Sequence, residues 1–373
     1  MNRIRRVLFL KRSFKKKGGL EKQAKLIVQA FQELGHEITL FTEEVDEMPP
    51  FETIFCKKSI GLSFSKIYHF NEEAKRFIHS RKYDHIFGFD RTEEQSILRL
   101  GNGIHKSFLE KKKLILPWYR NFLPKNPQDY ITLQIEKKGF SSPNLQTVIT
   151  NSAMVKEELL SYYPVPASKI HVLHNGVEWE KNHEAFKEQF NIDPKKIPFV
   201  YDKSKVQLLF IGHGYARKGL LFLLKALSYV PTCDFELHVV GGDKNIDFFK
   251  QFAQKLNLHQ SIHFHGATSC STPFFQIADL CIIPSIYDPF ANVTIEALSY
   301  GIPVLTSKMN GGKEIIQSFM GSEIDCLQDA SSFGDLIKNN LRKKQQELST
   351  KIRNGVEYLD FSYQLKKLTE ICI

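Results

Sequence analysis

Three observations predict an α/β protein built from two Rossmann-like domains. Short apolar runs of strand length alternate with helical stretches along most of the chain. The strand, glycine loop, helix pattern that opens the sequence begins again near residue 206. Between the two series, residues 163–185 are rich in proline, asparagine and glycine, as an interdomain hinge would be. At 373 residues the chain is long for one domain and comfortable for two. Its 42% hydrophobic and 12% aromatic content is enough to fill both cores. The boundaries expected are 1–175 for a basic first domain, 176–355 for a second domain, and 356–373 for a last helix.

Residues 6–10, RVLFL, read as the first strand, and 11–19 as its exit loop. Leu20, Ala24, Ile27, Val28, Phe31 and Leu34 follow at helical spacing. Gly35 ends that helix before the strand EITLF. Gly18 and Gly19 stand at the helix start, where a ligand can approach the backbone and the helix dipole favours a phosphate. Taken alone, a Gly-Gly pair is more often only a turn. Lys15 to Lys17 read first as a solvated loop and second as a phosphate attractor. HIFGF (85–89) and TVITN (147–151) are further strands. His105, just after Gly101 and Gly103, is presented at a turn or helix start; most lone histidines of this kind are polar surface or core residues. Lys111 to Lys113 precede LILPWYRNFLP, which mixes bases with Trp118, Tyr119 and Phe122. That mixture suits an anionic membrane surface and equally an ordinary amphipathic helix ending in a proline turn.

The second series begins with the strand VQLLFI (206–211), the loop GHGYARKG and the helix LLFLLKAL. Gly212 and Gly214 alone are a weak nucleotide signal. Arg217 and Lys218 strengthen it, since two cations at a helix N-terminus are suited to a diphosphate. FELHVV and IHFHG are the next strands. Then comes LCIIPSIYDPFANVTIEALSYGIPVLTS, residues 280–307, around which the domain is organised. Leu280 to Ile283 form a strand apolar on both faces, and Pro284 to Asn292 a loop. Val293 to Tyr300 form a helix closed by Gly301, and Pro303 to Leu305 resume a strand. Asp288 and Glu296, with seven residues between them, put one carboxylate in the loop and the other on the helix. Ligands of open parallel sheets sit at the carboxyl ends of the strands, where this loop lies. The segment 333–373 is lysine-rich and helical in pattern.

Composition narrows the function classes. No run approaches the roughly 18–20 apolar residues of a membrane-spanning helix. The apolar run near the N-terminus is too short for a signal peptide and ends in more lysines. The six cysteines contain no C-x-x-C pair, which fits a reducing compartment and neither a disulfide framework nor a structural zinc. A cytoplasmic location is expected. The net charge of +10 is concentrated early: residues 1–180 hold 29 Lys and Arg against 21 Asp and Glu. No helix-turn-helix, RNA-recognition or zinc-finger pattern accompanies that charge, so anionic lipid or acidic substrate is favoured over nucleic acid.

Asp288, Phe290, Ala291, Glu296, Ala297, Gly301, Pro303 and Val304 together resemble the acidic-x7-Glu signature of glycosyltransferase family 4, the retaining nucleotide-sugar-dependent group. Gly18, Gly19, Leu20 and Glu21 are similar to its Gly-Gly-hydrophobic-Glu start, and His174-Asn175-Gly176-Val177 to its hinge. Asn310-Gly311-Gly312 is a looser match to a closing loop. Aspartate stands where the family usually has glutamate, and Ala291 where it usually has glycine. The resemblance implies a GT-B fold, with two Rossmann-like domains facing each other across a cleft and a C-terminal helix crossing back to the first. It implies that Arg217 and Lys218 hold a pyrophosphate, with Gly18, Gly19 and Gly214 close to the donor. Glu296 would bind ribose and Asp288 the sugar hydroxyls. The backbone of Ala291, Asn292 and Val293 would lie beside phosphate and sugar, and His105 on the acceptor side. No metal or other cofactor is expected, for fixed cations and a helix N-terminus can stabilise a departing diphosphate without one and the sequence has no Asp-x-Asp motif; the family retains anomeric configuration. Within the family the chain looks most like lipopolysaccharide-core hexosyltransferases. The expected partners are a nucleotide-sugar donor such as UDP-glucose, a glycan or lipid-linked acceptor, and an anionic membrane surface, with no nucleic acid. A sugar-nucleotide epimerase, a phosphorylase, or a non-catalytic nucleotide-sugar or membrane-binding protein are the alternatives.

Overall fold

The computed structural model describes residues 4–15, 19–57, 63–115 and 126–372. Gly18, Lys16, Lys17 and the aromatic part of the basic segment, with Trp118, Tyr119 and Phe122, lie outside the described residues. The chain divides into two compact units, Met1–Gly176 with Ser362–Ile373, and Val177–Phe361.

The first unit contains β1 (Arg6–Leu10), β2 (Ser13–Phe14), β3 (Glu37–Thr42), β4 (Glu44–Val45), β5 (Glu52–Phe55), β6 (His85–Gly88), β7 (Ile97–Leu100), β8 (Thr147–Thr150) and β9 (Ile170–Val172). Seven of these form one sheet in the order β5-β3-β1-β6-β7-β8-β9, and β2 pairs separately with β4. Every pairing is parallel. Helices cover both faces of the sheet, which is why β1 reads as a nearly unbroken apolar run rather than alternating. On one face Val7 and Phe9 pack with Ala24, Ile27, Val28 and Phe31 of the helix Gly19–Glu33. Leu8, Leu10 and Phe41 on the other face meet Phe70 and Ala74 of the helix Ser63–Ser80. Leu368 and Cys372 of the last helix, Phe361–Cys372, belong to the first of these clusters. The final helix thus completes the core of the unit that opens the chain, as the resemblance implies.

The second unit contains β10 (Val206–Ile211), β11 (Phe235–Val240), β12 (Ile262–Gly266), β13 (Leu280–Ile283), β14 (Val304–Ser307) and β15 (Gly321–Ile324). They form a parallel sheet in the order β12-β11-β10-β13-β14-β15. Two chain segments join this unit at one place. The Val177 amide donates to the Leu359 carbonyl, and the Phe361 amide to that of Val177.

Both sheets follow the doubly wound order, in which the chain reverses direction between its first and fourth strands. The reversal falls between β1 and β6 in the first unit and between β10 and β13 in the second. Four strands of the two large sheets, β5, β7, β9 and β15, and the short β2 and β4 are absent from the sequence reading. β5, β9 and β15 lie at or near sheet ends and are short, polar or half-exposed. β7 is buried at every position, but Arg99 interrupts its apolar run.

A polar ladder crosses three strands of the second sheet. Gln207 Nε2 donates to the carbonyls of Asp202 and Lys205, which leaves its Oε1 as an acceptor for His238 Nε2–H at 2.7 Å. His238 Nδ1 then accepts from His265 Nε2–H at 2.9 Å, so both rings are neutral. Burial, with the neighbouring histidines adding to it, takes His238 down to about 3 and His265 to about 4. An unfolded histidine protonates below about pH 6.5. Stability should therefore fall as pH drops through 6.5, and continue falling until the folded values are reached. His238 accounts for about 2 kcal/mol between pH 6.5 and 5, with the more exposed His265 contributing less. Urea unfolding at a series of pH values checks this, and a His238→Gln variant should flatten the profile.

Candidate active site

Three loops leave the carboxyl ends of β10, β13 and β14, on either side of the reversal point. The first, Gly212 to Gly219, is held down at both ends. The Gly212 amide donates to the Val240 carbonyl at 2.9 Å. Tyr215 is fully buried; its amide donates to the Asp243 carboxylate at 2.6 Å and its hydroxyl to the Gly241 carbonyl at 2.5 Å. Gly219 closes the loop with φ +81 and begins the helix Leu220–Leu227. A Cβ there would lie 1.8 Å from the Pro284 carbonyl oxygen, so the first loop presses directly on the second. Gly219→Ala should cost about 3 kcal/mol or more through strain and displacement of that contact. Thermal unfolding measures it, and an unchanged melting temperature would show that the loops can separate.

The second loop, from Pro284, carries Asp288. The Ile286 amide donates to the Arg217 carbonyl at 3.0 Å, the Asp288 amide to Met309 at 2.9 Å, and the Gly311 amide to the Asp288 carbonyl at 2.9 Å. Asp288 is 6% exposed, and its carboxylate accepts from Lys218 Nζ at 2.5 Å and from Arg217 Nη1 at 3.4 Å. Burial pushes that carboxyl up, but the Lys218 and Arg217 cations outweigh burial and hold it below the ordinary aspartate value. Lys218 is nearly buried, whereas Arg217 stays partly exposed and also donates to the Tyr287 carbonyl.

Asn310, in the third loop, is fully buried and makes four side-chain hydrogen bonds. Its Oδ1 accepts from the amides of Ala291 and Gly312, both at 3.0 Å. Its Nδ2 donates to the hydroxyls of Thr294 at 3.1 Å and Thr306 at 2.7 Å. One side chain thus fixes the start of the helix Asn292–Ser299, the end of β14 and the glycine pair after it. The sequence shows Asn310 only as part of a loose motif. Its role depends on partners 2 to 19 residues away in the sequence and brought together by the sheet.

The predicted site residues fall into two groups. Arg217, Lys218 and Asp288 are in contact, and Gly214 lies in the first of these loops with φ +75 and nothing within 4 Å of its would-be Cβ. Ala291 precedes the helix Asn292–Ser299, and its amide donates to Asn310 Oδ1. Glu296 is half-buried on that helix and, after burial, contributes to pushing up the Cys281 thiol of β13. Gly19 begins the first helix of the other unit. His105, also in that unit, begins the helix His105–Lys112 and is tied by Nε2 to Asp129 at 3.1 Å. The His105 amide donates to Glu136, a buried carboxylate that also pairs with Arg91 at 2.7 Å. Burial and the Arg91 charge lower the His105 pKa. Among the described residues, no three His, Cys, Asp or Glu side chains are grouped as a metal site requires.

A family model described as Glycosyltransferase Family 4 matches residues 17–181, and one described as Glycosyl transferases group 1 matches residues 191–359. An uncharacterized glycosyltransferase of Methanocaldococcus jannaschii is 30% identical over 175 residues, 46% of this chain and 44% of that protein. The lipopolysaccharide glucosyltransferase WaaG of Escherichia coli is 32% identical over 107 residues, 28% of each chain. These matches span less than half the length of each relative. The crystal structure of WaaG, a glycosyltransferase involved in lipopolysaccharide biosynthesis, superposes with a TM-score of 0.78 at 17% identity, covering 98% of this chain and 99% of that one. Anabaena HepE in complex with UDP and glucose gives 0.72 at 15% identity, covering 99% of each.

Proposed function

Because the chain belongs to glycosyltransferase family 4, a retaining family with the GT-B fold, we propose that it transfers a hexose from a nucleotide diphosphate sugar to a glycan or lipid-linked acceptor. The observation that carries this reading is the Arg217–Lys218–Asp288 cluster at the strand reversal of the second unit. A departing nucleoside diphosphate gains charge as its bond to the sugar breaks, and fixed cations beside a helix N-terminus stabilise that charge without reorganising. Lys218 and Arg217 are the cations, and the helix start at Asn292 and Val293 supplies the backbone donors. Asp288 holds the two cations in place before the donor arrives and accepts from sugar hydroxyls once it is bound. Glu296 takes the ribose hydroxyls. The sugar keeps its anomeric configuration, with the departing phosphate accepting the acceptor's proton on the same face.

UDP-glucose is the donor we assign, from the likeness to WaaG and HepE. We assign Gly18 and Gly19 to the donor's phosphate and His105 to the acceptor side. Lys111, Lys112 and Lys113, with the exposed Leu114 beside them, suit an anionic membrane surface at the cytoplasmic face. Among the described residues no helix is long and apolar enough to cross a membrane. The test is a panel of nucleotide sugars, with lipopolysaccharide core as acceptor, read by nucleoside diphosphate release and by the anomer formed. Release of UDP from UDP-glucose with a retained linkage is the expected result. Tight binding with no release from any sugar would favour a non-catalytic binding protein.

A further inference from the structure

Buried in the first unit, at the carboxyl ends of its central strands, is a second polar site. A partly enclosed cavity of about 20 Å³ is lined by Lys11, Gln23, Phe89, Arg99, Gly101 and Asn102 among others. Lys11, Gln23 and Arg99 are each more than nine-tenths buried. Lys11 is compensated, since its ammonium pairs with Asp90 at 3.1 Å and the same carboxylate accepts from the Arg12 amide at 2.8 Å.

Arg99 has no such compensation. Its guanidinium donates to the carbonyls of Leu173 at 2.8 Å and Thr150 at 3.4 Å, and to Asn175 Oδ1 at 2.9 Å. No carboxylate among the described residues pairs with it, and its Nε has no partner. Burial takes its pKa down only to about 10, so it remains charged at neutral pH. Gln23 Nε2 is likewise buried and unpartnered. Asn151 donates to the Gly101 carbonyl at 3.1 Å and leaves its Oδ1 unpartnered. A buried cation without a counter-ion and a buried amide donor without an acceptor are both costly. A ligand that brings acceptor oxygens and negative charge relieves both. An unpartnered acceptor nearby suits a hydroxyl on the same ligand.

We propose that this cavity is an anion site, taking the phosphate or carboxylate tip of a small ligand between Arg99, Gln23 and Lys11. The cavity accommodates the tip, and the rest of the ligand lies outside it. If the transferase reading holds, the tip is an anionic group on the acceptor. The anion site itself does not depend on that reading, and its test needs no turnover.

The test measures the melting temperature of the full chain carrying Arg217→Ala, Lys218→Ala and Asp288→Asn, which removes the other phosphate-binding cations together with the buried charge they would leave unpaired. Inorganic phosphate is titrated against chloride at matched ionic strength. At about ten times its dissociation constant, phosphate should raise the melting temperature by about 3–6 °C. Gln23→Leu should leave the melting temperature without phosphate unchanged or higher and abolish the phosphate shift. Gln23→Glu should raise it without phosphate, because the new carboxylate supplies Arg99 with its counter-ion, and also remove the response. Glucose 6-phosphate at least tenfold tighter than inorganic phosphate would identify a sugar-linked group as the occupant; equal affinities would identify a free anion. No phosphate-specific shift in the parent, with Gln23→Leu less stable, would mean that the cavity holds an ordered water and would overturn the proposal. A phosphate shift that survives Gln23→Leu unchanged would also overturn it.

Discussion

Lys218→Ala should lower kcat/KM for the nucleotide-sugar reaction by about 10²- to 10³-fold, the loss expected when one fixed donor to a developing negative charge is removed. The fall should appear in kcat as well as in KM, because the charge on the diphosphate is greatest in the transition state. The variant also leaves Asp288 buried with only the longer Arg217 contact at 3.4 Å. Breaking one side of a buried pair costs about 3–5 kcal/mol, so Lys218→Ala should also be less stable. The double variant Lys218→Ala/Asp288→Asn separates the two effects. Removing the orphaned charge should restore most of the stability while the activity stays lost. Recovery of activity together with stability would show that Lys218 acts on the fold and not on the donor. Steady-state kinetics and urea unfolding on the three proteins read both outcomes.

Replacing Asn310 should have the next largest effect. Asn310→Ala leaves the buried amides of Ala291 and Gly312 without an acceptor and the hydroxyls of Thr294 and Thr306 without their donor. Each unsatisfied buried group costs about 1–3 kcal/mol, and relaxation recovers part of it, so a net loss of about 3 kcal/mol is expected. The helix Asn292–Ser299 and the Asp288–Asn310 bridge would lose their common anchor. Donor affinity should therefore fall along with stability. Asn310→Asp is the informative companion, because its carboxylate still accepts from both amides and the two threonine hydroxyls can turn to donate. It should retain most of the fold but add a negative charge near Asp288, weakening nucleotide binding more than stability. Calorimetric titration with UDP, alongside thermal unfolding, measures the split. Equal losses in both variants would argue against a positioning role.

These predictions rest on contacts that differ in how far the sequence reveals them. Strands such as RVLFL, VQLLFI and LCII are legible because a sheet covered on both faces demands unbroken apolar runs. The loop GHGYARKG is legible as a candidate phosphate loop because glycine and cation placement is local. Asp288 and Glu296 are legible as a pair through their spacing and the residues that follow them. The strand around Arg99 is not, since a charge in the middle of ILRL contradicts the pattern that identifies its neighbours. Nor is the His238–His265 ladder, because its three members sit on separate strands and meet only when those strands align.

By itself, then, the sequence determined the two-unit α/β architecture, the family, and the loops that carry the candidate chemistry. Each of these is written in short-range order: residue periodicity, turn residues and motif spacing. Tertiary structure decided how the charges are distributed. Asp288 meets Lys218 across 70 residues, which makes the aspartate a counter-ion for the cations in this state. Among the described residues Arg99 is left without a carboxylate, and Asn310 becomes the anchor of three segments. The physical reason is that the price of burying a polar group depends on which partners reach it. In this chain those partners come from distant strands, so only the folded sheet determines them.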